Sequence, residues 1–171
     1  MVETTQKEGL LGRFSLPVEI NGRPYSFQGF IPQEPGEIRW YLKTHGQTVG
    51  YDGLIWARAA GADIQQIADI ELVYIHAETP SKGSGNFLLD NFLALADFRS
   101  WRVFLFVDKM EESARNKLKR WYAEKGFLQD FTPIASLHNN VRMVRQPKAP
   151  DVTQKIGQLL SVKSSTTVPT Q

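Results

Sequence analysis

The chain has no cysteine, three histidines and three methionines in 171 residues, and no apolar run approaching the length of a membrane span. Missing thiols exclude disulfides, cysteine-ligated zinc and a cysteine nucleophile, and leave the redox compartment open. His45, His76 and His138 are far apart, with neither Glu-x-x-His nor His-x-x-x-His spacing, so no metal and no Ser-His-Asp triad is expected. Neither sign of charge dominates: 20 basic against 18 acidic side chains leave a net +2. That is too little to imply nucleic acid, although a basic face can attract an acidic cofactor. Residues 1–12 hold no basic lead into an apolar segment, so a soluble, cytoplasmic protein with no membrane partner is expected.

What is present is a hydrophobic fraction of 42% with 11% aromatics, enough for one sizeable core. The pattern divides into a flexible N-terminus at 1–12, a single domain at 13–146, and a polar, largely flexible tail at 147–171. In that tail Val152, Ile156, Leu159 and Leu160 have helical spacing. Phe14 to Ile20 and Arg23 to Gly29 flank Asn21-Gly22, a type I′ hairpin signal, while Pro24 suggests an edge position. Ile38, Trp40 and Leu42 alternate with polar neighbours as a half-buried strand does. Further strands are expected over Thr48 to Arg58, with a break at Gly61-Ala62-Asp63, and over Ile67 to Ala77. A helix over Gly85 to Phe98 carries Leu88, Phe92, Leu95 and Ala96 on one stripe. The unbroken run Val103-Phe104-Leu105-Phe106-Val107 reads as a buried strand parallel to the one before the helix. A second helix starts near Glu111 or Ser113, turns Ala114, Leu118, Trp121 and Tyr122 inward, and stops at Gly126. Phe127 to Phe131 and Ile134 to Arg145 close the sheet.

The strand ending at Ala77 meets the first helix through Thr79-Pro80-Ser81-Lys82-Gly83-Ser84-Gly85-Asn86. Glycines there remove Cβ atoms, so backbone N–H groups and the positive end of the helix can converge on a phosphate. Taken alone, the turn fits an ordinary connection equally well. No G-x-x-x-x-G-K-[ST] is present, and G-x-G-x-x-G fails at Leu88.

In order and spacing, the Ile70 to Ile75 strand, the Lys82-Gly83-Ser84-Gly85 turn, Leu88-Leu89, Phe104 to Asp108, Trp121-Tyr122-Ala123-Glu124-Lys125-Gly126-Phe127 and Val141-Arg142-Met143 resemble the GNAT superfamily of acyl-CoA-dependent N-acyltransferases. The family signature Gln/Arg-x-x-Gly-x-Gly/Ala falls on Pro80 to Gly85. Its aromatic-Tyr-x-x-x-Gly-Phe element falls on Trp121 to Phe127. The resemblance covers about residues 47 to 146. It implies an α/β fold with a GNAT-type mixed central sheet flanked by helices, here with a strand-rich N-terminal half. The implied activity is transfer of an acyl group, with acetyl expected, from acyl-CoA to an amine by direct attack. Two departures stand out: Pro80 replaces a cationic or amide donor, and the two helices usual between the first two strands have no counterpart, so an open acceptor side is expected.

The resemblance makes Tyr122 the acid that protonates the departing CoA thiolate, a proton that a phenol of pKa about 10 holds at neutral pH; without it, Tyr122 reads as a packed helix residue. Glu71 ahead of Asp69 is the candidate base. Alternation would set both carboxylates on one face with Val73 and Ile75. Taken singly, each reads first as a carboxylate satisfied by backbone or a basic side chain. Ile75 and Ala77 are implied to offer backbone amides where the strand splays from its neighbour. Lys82, Gly83, Ser84, Gly85 and Asn86 are implied to bind the cofactor's phosphates, with Asn86 also placed to cap the helix. The implied partners are acetyl-CoA or another acyl-CoA and an amine acceptor that the sequence does not specify, with no metal and no nucleic acid; self-association as a homodimer stays open. The alternative is a GNAT-fold module that binds CoA or protein without turnover.

Overall fold

The computed structural model of the chain describes residues 12–44, 49–62, 66–78, 83–108, 111–132 and 140–148. The expectations for 1–11, for Pro80, Ser81 and Lys82, for 134–139 and for the tail beyond 148 lie outside them. The frame begins as a meander. β1 (Gly12–Ile20) and β2 (Arg23–Ile31) form the expected hairpin, turned by Asn21 (φ 51) and Gly22 (φ 77), both left-handed as a type I′ turn requires. Pro24 does not mark an edge, because β2 lies between β1 and β3 (Ile38–Thr44). The β2–β3 pairing ends at Tyr25↔Thr44, one residue short of Pro24. In a two-residue hairpin the pair next to the closing one is not hydrogen-bonded, so the proline nitrogen points outward past the end of β3 and no ladder bond is lost.

β4 (Gly53–Ala62) starts later than the expected Thr48, because Asp52 is spent on a turn. Its N–H donates to the Leu42 carbonyl at 2.7 Å, and its carboxylate accepts the Thr44 N–H at 2.7 Å and the Thr44 hydroxyl. The expected break at Gly61-Ala62-Asp63 falls where β4 ends, at Ala62, with a register irregularity between Ala59 and Gly61 against β5 (Ala68–Ala77). The chain then crosses through α1 (Ser84–Phe98) to β6 (Arg102–Val107), which lies parallel to β5 as expected. α2 (Glu112–Glu124) leads to β7 (Leu128–Gln129) and β8 (Val141–Arg145), giving the order β1-β2-β3-β4-β5-β6-β8-β7. β7 is shorter than Phe127 to Phe131, since the Asp130 carboxylate takes the Thr132 N–H at 2.9 Å and turns the chain.

One face of this mixed sheet holds the core. Ile38, Trp40 and Leu42 are buried as alternation required, and Ile55, Ala57, Ile70, Leu72, Val103 and Leu105 continue the layer. α1 lays Leu88, Phe92, Leu95 and Ala96 on it, and α2 adds Tyr122; Ala114, expected inward, is exposed. The sheet curls around α1, with the Phe27 ring 5.1 Å from Phe87 and Trp40 edge-on to Phe92 at 6.3 Å. A buried arginine clips the far end. Arg145 of β8, 3% exposed, donates to both Asp97 oxygens of α1 at 2.6 and 2.7 Å and to the Lys125 carbonyl after α2 at 3.0 Å. The class is therefore α/β with a strand-rich N-terminal half, but among the described residues both helices lie on one face and the other face is bare.

Candidate functional site

α1 starts without a cap. Gly83, at φ 85, precedes it, there is no side-chain cap hydrogen bond among the described residues, and its first turn holds no acidic residue. The N–H of Phe87 closes the first helical bond to the Gly83 carbonyl at 2.9 Å, so by position the N–H groups of Ser84, Gly85 and Asn86 have no intrahelical acceptor. The two glycines have different reasons. A Cβ on Gly83 would stand 2.8 Å from Asn21 Nδ2 and 3.3 Å from Ile20 Cγ2, because the β1–β2 hairpin tip lies against the turn. Among the described residues, a Cβ on Gly85 would come no closer than 3.9 Å, to the Ala77 Cβ and the Trp121 ring, an ordinary contact. Packing does not require glycine there. Asn86 accepts the Trp121 indole N–H on Oδ1 at 2.8 Å, rather than capping the helix.

Beside this turn the sheet opens. β5 pairs with β6 only through Asp69↔Arg102, Ile70↔Val103 and Glu71↔Phe104, after which β6 continues against β8. Leu72 to Ala77, the stretch carrying Ile75 and Ala77, runs on with no β6 partner among the described residues, while β4 still pairs its other edge. Its last residue lies against Gly85, so the opening and the glycine turn adjoin.

Tyr122 stands on the helix-covered face, 6% exposed, its ring 4.9 Å from Trp121 and 5.5 Å from Phe127. Burial disfavours the phenolate and pushes its pKa up to about 12, which keeps the proton in place at neutral pH. The candidate bases are elsewhere. Asp69 takes two hydrogen bonds from Arg102, at 2.5 and 2.7 Å, and Glu71 is held by Arg58 at 2.7 and 2.8 Å. Both lie on the β6-paired part of β5 and on the bare face, away from Tyr122. The expectation that they share a face with Val73 and Ile75 fails at a bulge. The register steps from Trp56↔Tyr74 to Ala57↔Leu72, leaving Val73 as the extra residue, so Ile75 falls on the core face with Leu72. The carboxylates share theirs with Tyr74 and His76.

Sequence reasoning missed Asn21 and the pair His76 and Glu78, whose Nε2 and Oε2 are 3.4 Å apart just beyond the opening. Asn21 is read from sequence as a turn residue alone, since its proximity to Gly83 arises only when the sheet curls. An open cavity of about 520 Å³ lies over the β6, β7 and β8 end of the sheet, lined by Arg102, Leu128, Asp130 and Arg142 among others. Its charges answer one another: Arg142 binds Asp130 at 2.5 Å and Arg102 binds Asp69. The Thr132 N–H, first among several causes, holds the Asp130 carboxyl below its ordinary range.

Among the described residues no group of three or more acidic or imidazole side chains could hold a metal, and no helix is long and apolar enough to cross a membrane. Compared with protein-family models and with curated proteins, the chain matches none.

Proposed function

We propose that the chain is an acyl-CoA-dependent N-acyltransferase of GNAT type, moving an acyl group, acetyl in the simplest case, to an amine. One observation carries this reading: β5 parts from β6 after Glu71, at the strand whose end adjoins an uncapped, glycine-led helix terminus. A parted strand offers unpaired amides for an extended amide-bearing arm, and the helix terminus offers amides and a positive dipole for a pyrophosphate. The room at Gly85, which packing leaves unused, fits close approach of that group. Bound acyl-CoA supplies the activated acyl carbon. Amides of the Leu72 to Ala77 stretch would polarise its carbonyl, the neutral amine, deprotonated by solvent, would form the C–N bond as the C–S bond breaks, Tyr122 would give its proton to sulfur, and the proton then lost by nitrogen would return through water to the phenolate. Lys82 would neutralise phosphate charge from the turn.

A second reading, a CoA-binding or protein-interaction module without turnover, is favoured by the arginines that occupy Asp69 and Glu71. One experiment separates the two. The chain has no thiol of its own, so free CoA released from acetyl-CoA on adding amines can be read directly with a thiol-reactive dye, beside calorimetric titration with CoA. Saturable binding with amine-dependent thiol release is expected. Binding without release selects the silent CoA-binding module, and no binding removes acyltransfer and CoA binding together, leaving only the protein-interaction form of the second reading.

A further inference from the structure

The bare face of the sheet carries a group of aromatic rings at the end where β5 leaves β6. Tyr51 is 37% exposed, Tyr74 45%, and the His76 side chain 37%. The rings touch in sequence: Tyr41 to Tyr51 at 5.7 Å, Tyr51 edge-on to His76 at 6.4 Å, and His76 stacked on Tyr74 at 6.0 Å with 7° between planes. Cross-strand register explains their assembly, since Tyr41, Leu54 and His76 form one row and Arg39, Trp56 and Tyr74 the next. Cross-strand packing alone would not leave three adjoining rings open to solvent beside a carboxylate. Glu78, with a side chain 66% exposed, supplies that carboxylate within 3.4 Å of His76.

The neighbouring row shows what such rings hold, because the Arg39 guanidinium lies 4.8 Å over the Trp56 ring. Ring faces carry negative potential, and a carboxylate beside them adds a full charge, a combination complementary to an ammonium on an aliphatic stem. Its donors are phenol hydroxyls and an imidazole N–H, with no lysine or arginine among the four groups to hold an anion. The position is also suited to an acceptor. Both described helices close the other face, so an amine reaching the open edge of β5 from the bare face passes Tyr74 and His76.

We propose that Tyr51, Tyr74, His76 and Glu78 form a subsite for an aliphatic primary ammonium, and that this is how the amine acceptor is held. The second clause rests on the acyltransfer reading, while the first stands without it. The two sources of this chemistry are a free diamine and a lysine side chain of a peptide. The test therefore titrates the full chain, with no CoA compound present, against cadaverine and against a blocked Gly-Lys-Gly peptide, following the ring signals of Tyr51, Tyr74 and His76 by NMR. The control is the same peptide with its lysine Nε-acetylated.

Saturable ring shifts with either amine and none with the acetylated control are expected, and the tighter ligand identifies the source. Tyr74→Leu should weaken binding about 2–5-fold, the effect of one exposed cation–π contact, and Glu78→Gln should weaken it at least as much. Equal shifts from the acetylated peptide, or unchanged affinity in both variants, would overturn the subsite. Shifts that follow protein concentration without amine would overturn it in favour of self-association through this face. Because CoA is absent throughout, failure of the acyltransfer reading leaves these results unaffected.

Discussion

The Trp121 indole donates its N–H to the Asn86 side-chain oxygen at 2.8 Å, tying the end of α2 to the first turn of α1 beside the glycine turn. With Oδ1 committed to the indole, the Asn86 NH₂ is the group left to donate to an anion at the helix terminus. Asn86→Asp keeps an acceptor for Trp121 and places a carboxylate where the helix dipole favours it, for a gain of about 0.3–1 kcal/mol in stability. The same carboxylate repels a pyrophosphate and removes a donor, so CoA affinity should fall at least about tenfold, in line with ~1.5–3 kcal/mol for a hydrogen bond to a charged group. Thermal unfolding and calorimetry read the two effects separately. Unchanged CoA binding in a stable variant would place the phosphates elsewhere.

The two glycines of the turn should respond in opposite ways. Gly83→Ala forces a side chain into a left-handed conformation against Asn21, and should cost roughly 1–2 kcal/mol. Gly85→Ala, inside α1 and with 3.9 Å to its nearest described neighbours, should stabilise by about 0.4–1 kcal/mol while weakening CoA binding. If Gly85→Ala binds CoA as the parent does, the turn is a plain connection.

Tyr122 makes stability depend on alkaline pH. Its folded pKa of about 12 lies above the unfolded value near 10. The full contribution is therefore present below pH 10 and is lost as the unfolded chain ionises between about pH 10 and 12, on the order of 3 kcal/mol. Tyr122→Phe should flatten that fall, measured as the difference between parent and variant in urea midpoints at pH 9 and 11.5. At pH 7.5 it should lower amine-dependent CoA release by about 10²–10⁴-fold with CoA affinity kept. Equal release in the two proteins would return the ring to a packing role.

Much of the frame was legible because the sheet is locally written. Asn21-Gly22 sets the hairpin, Ile38, Trp40 and Leu42 set a buried face, and the Val103 to Val107 run sets a strand beside the crossover helix. What escaped depended on neighbours that sequence spacing cannot supply. The bulge at Val73 reverses the faces of β5 in mid-strand, so simple alternation put Ile75 on the wrong side. Asp69 and Glu71 were visible as a pair, but the arginines that occupy them come from β6 and β4. Asn21 reaches Gly83, and His76 joins Tyr51 and Tyr74, only once the strands are side by side.

The clip at the far end gives a test independent of function. Asp97→Ala leaves the Arg145 guanidinium buried without its carboxylate, and should cost about 3–5 kcal/mol. Replacing Asp97 by Ala and Arg145 by Met together should restore part of that loss. A single-variant loss under 1 kcal/mol, read from urea unfolding, would show that the charge finds water or another partner.

The three-pair junction between β5 and β6 also divides the molecule by the range of its contacts. On one side, β1 to β5 are sequential neighbours that can zip together locally; on the other, β6, α2, β7 and β8 close among themselves. Three residue pairs join the two across α1, against five between β6 and β8, so the junction is the weaker seam and is expected to open early in local unfolding. Amide hydrogen exchange would register this as weak protection along the open edge of Leu72 to Ala77, and a ligand bridging the seam would act as the missing rungs of the ladder, slowing exchange on both sides at once.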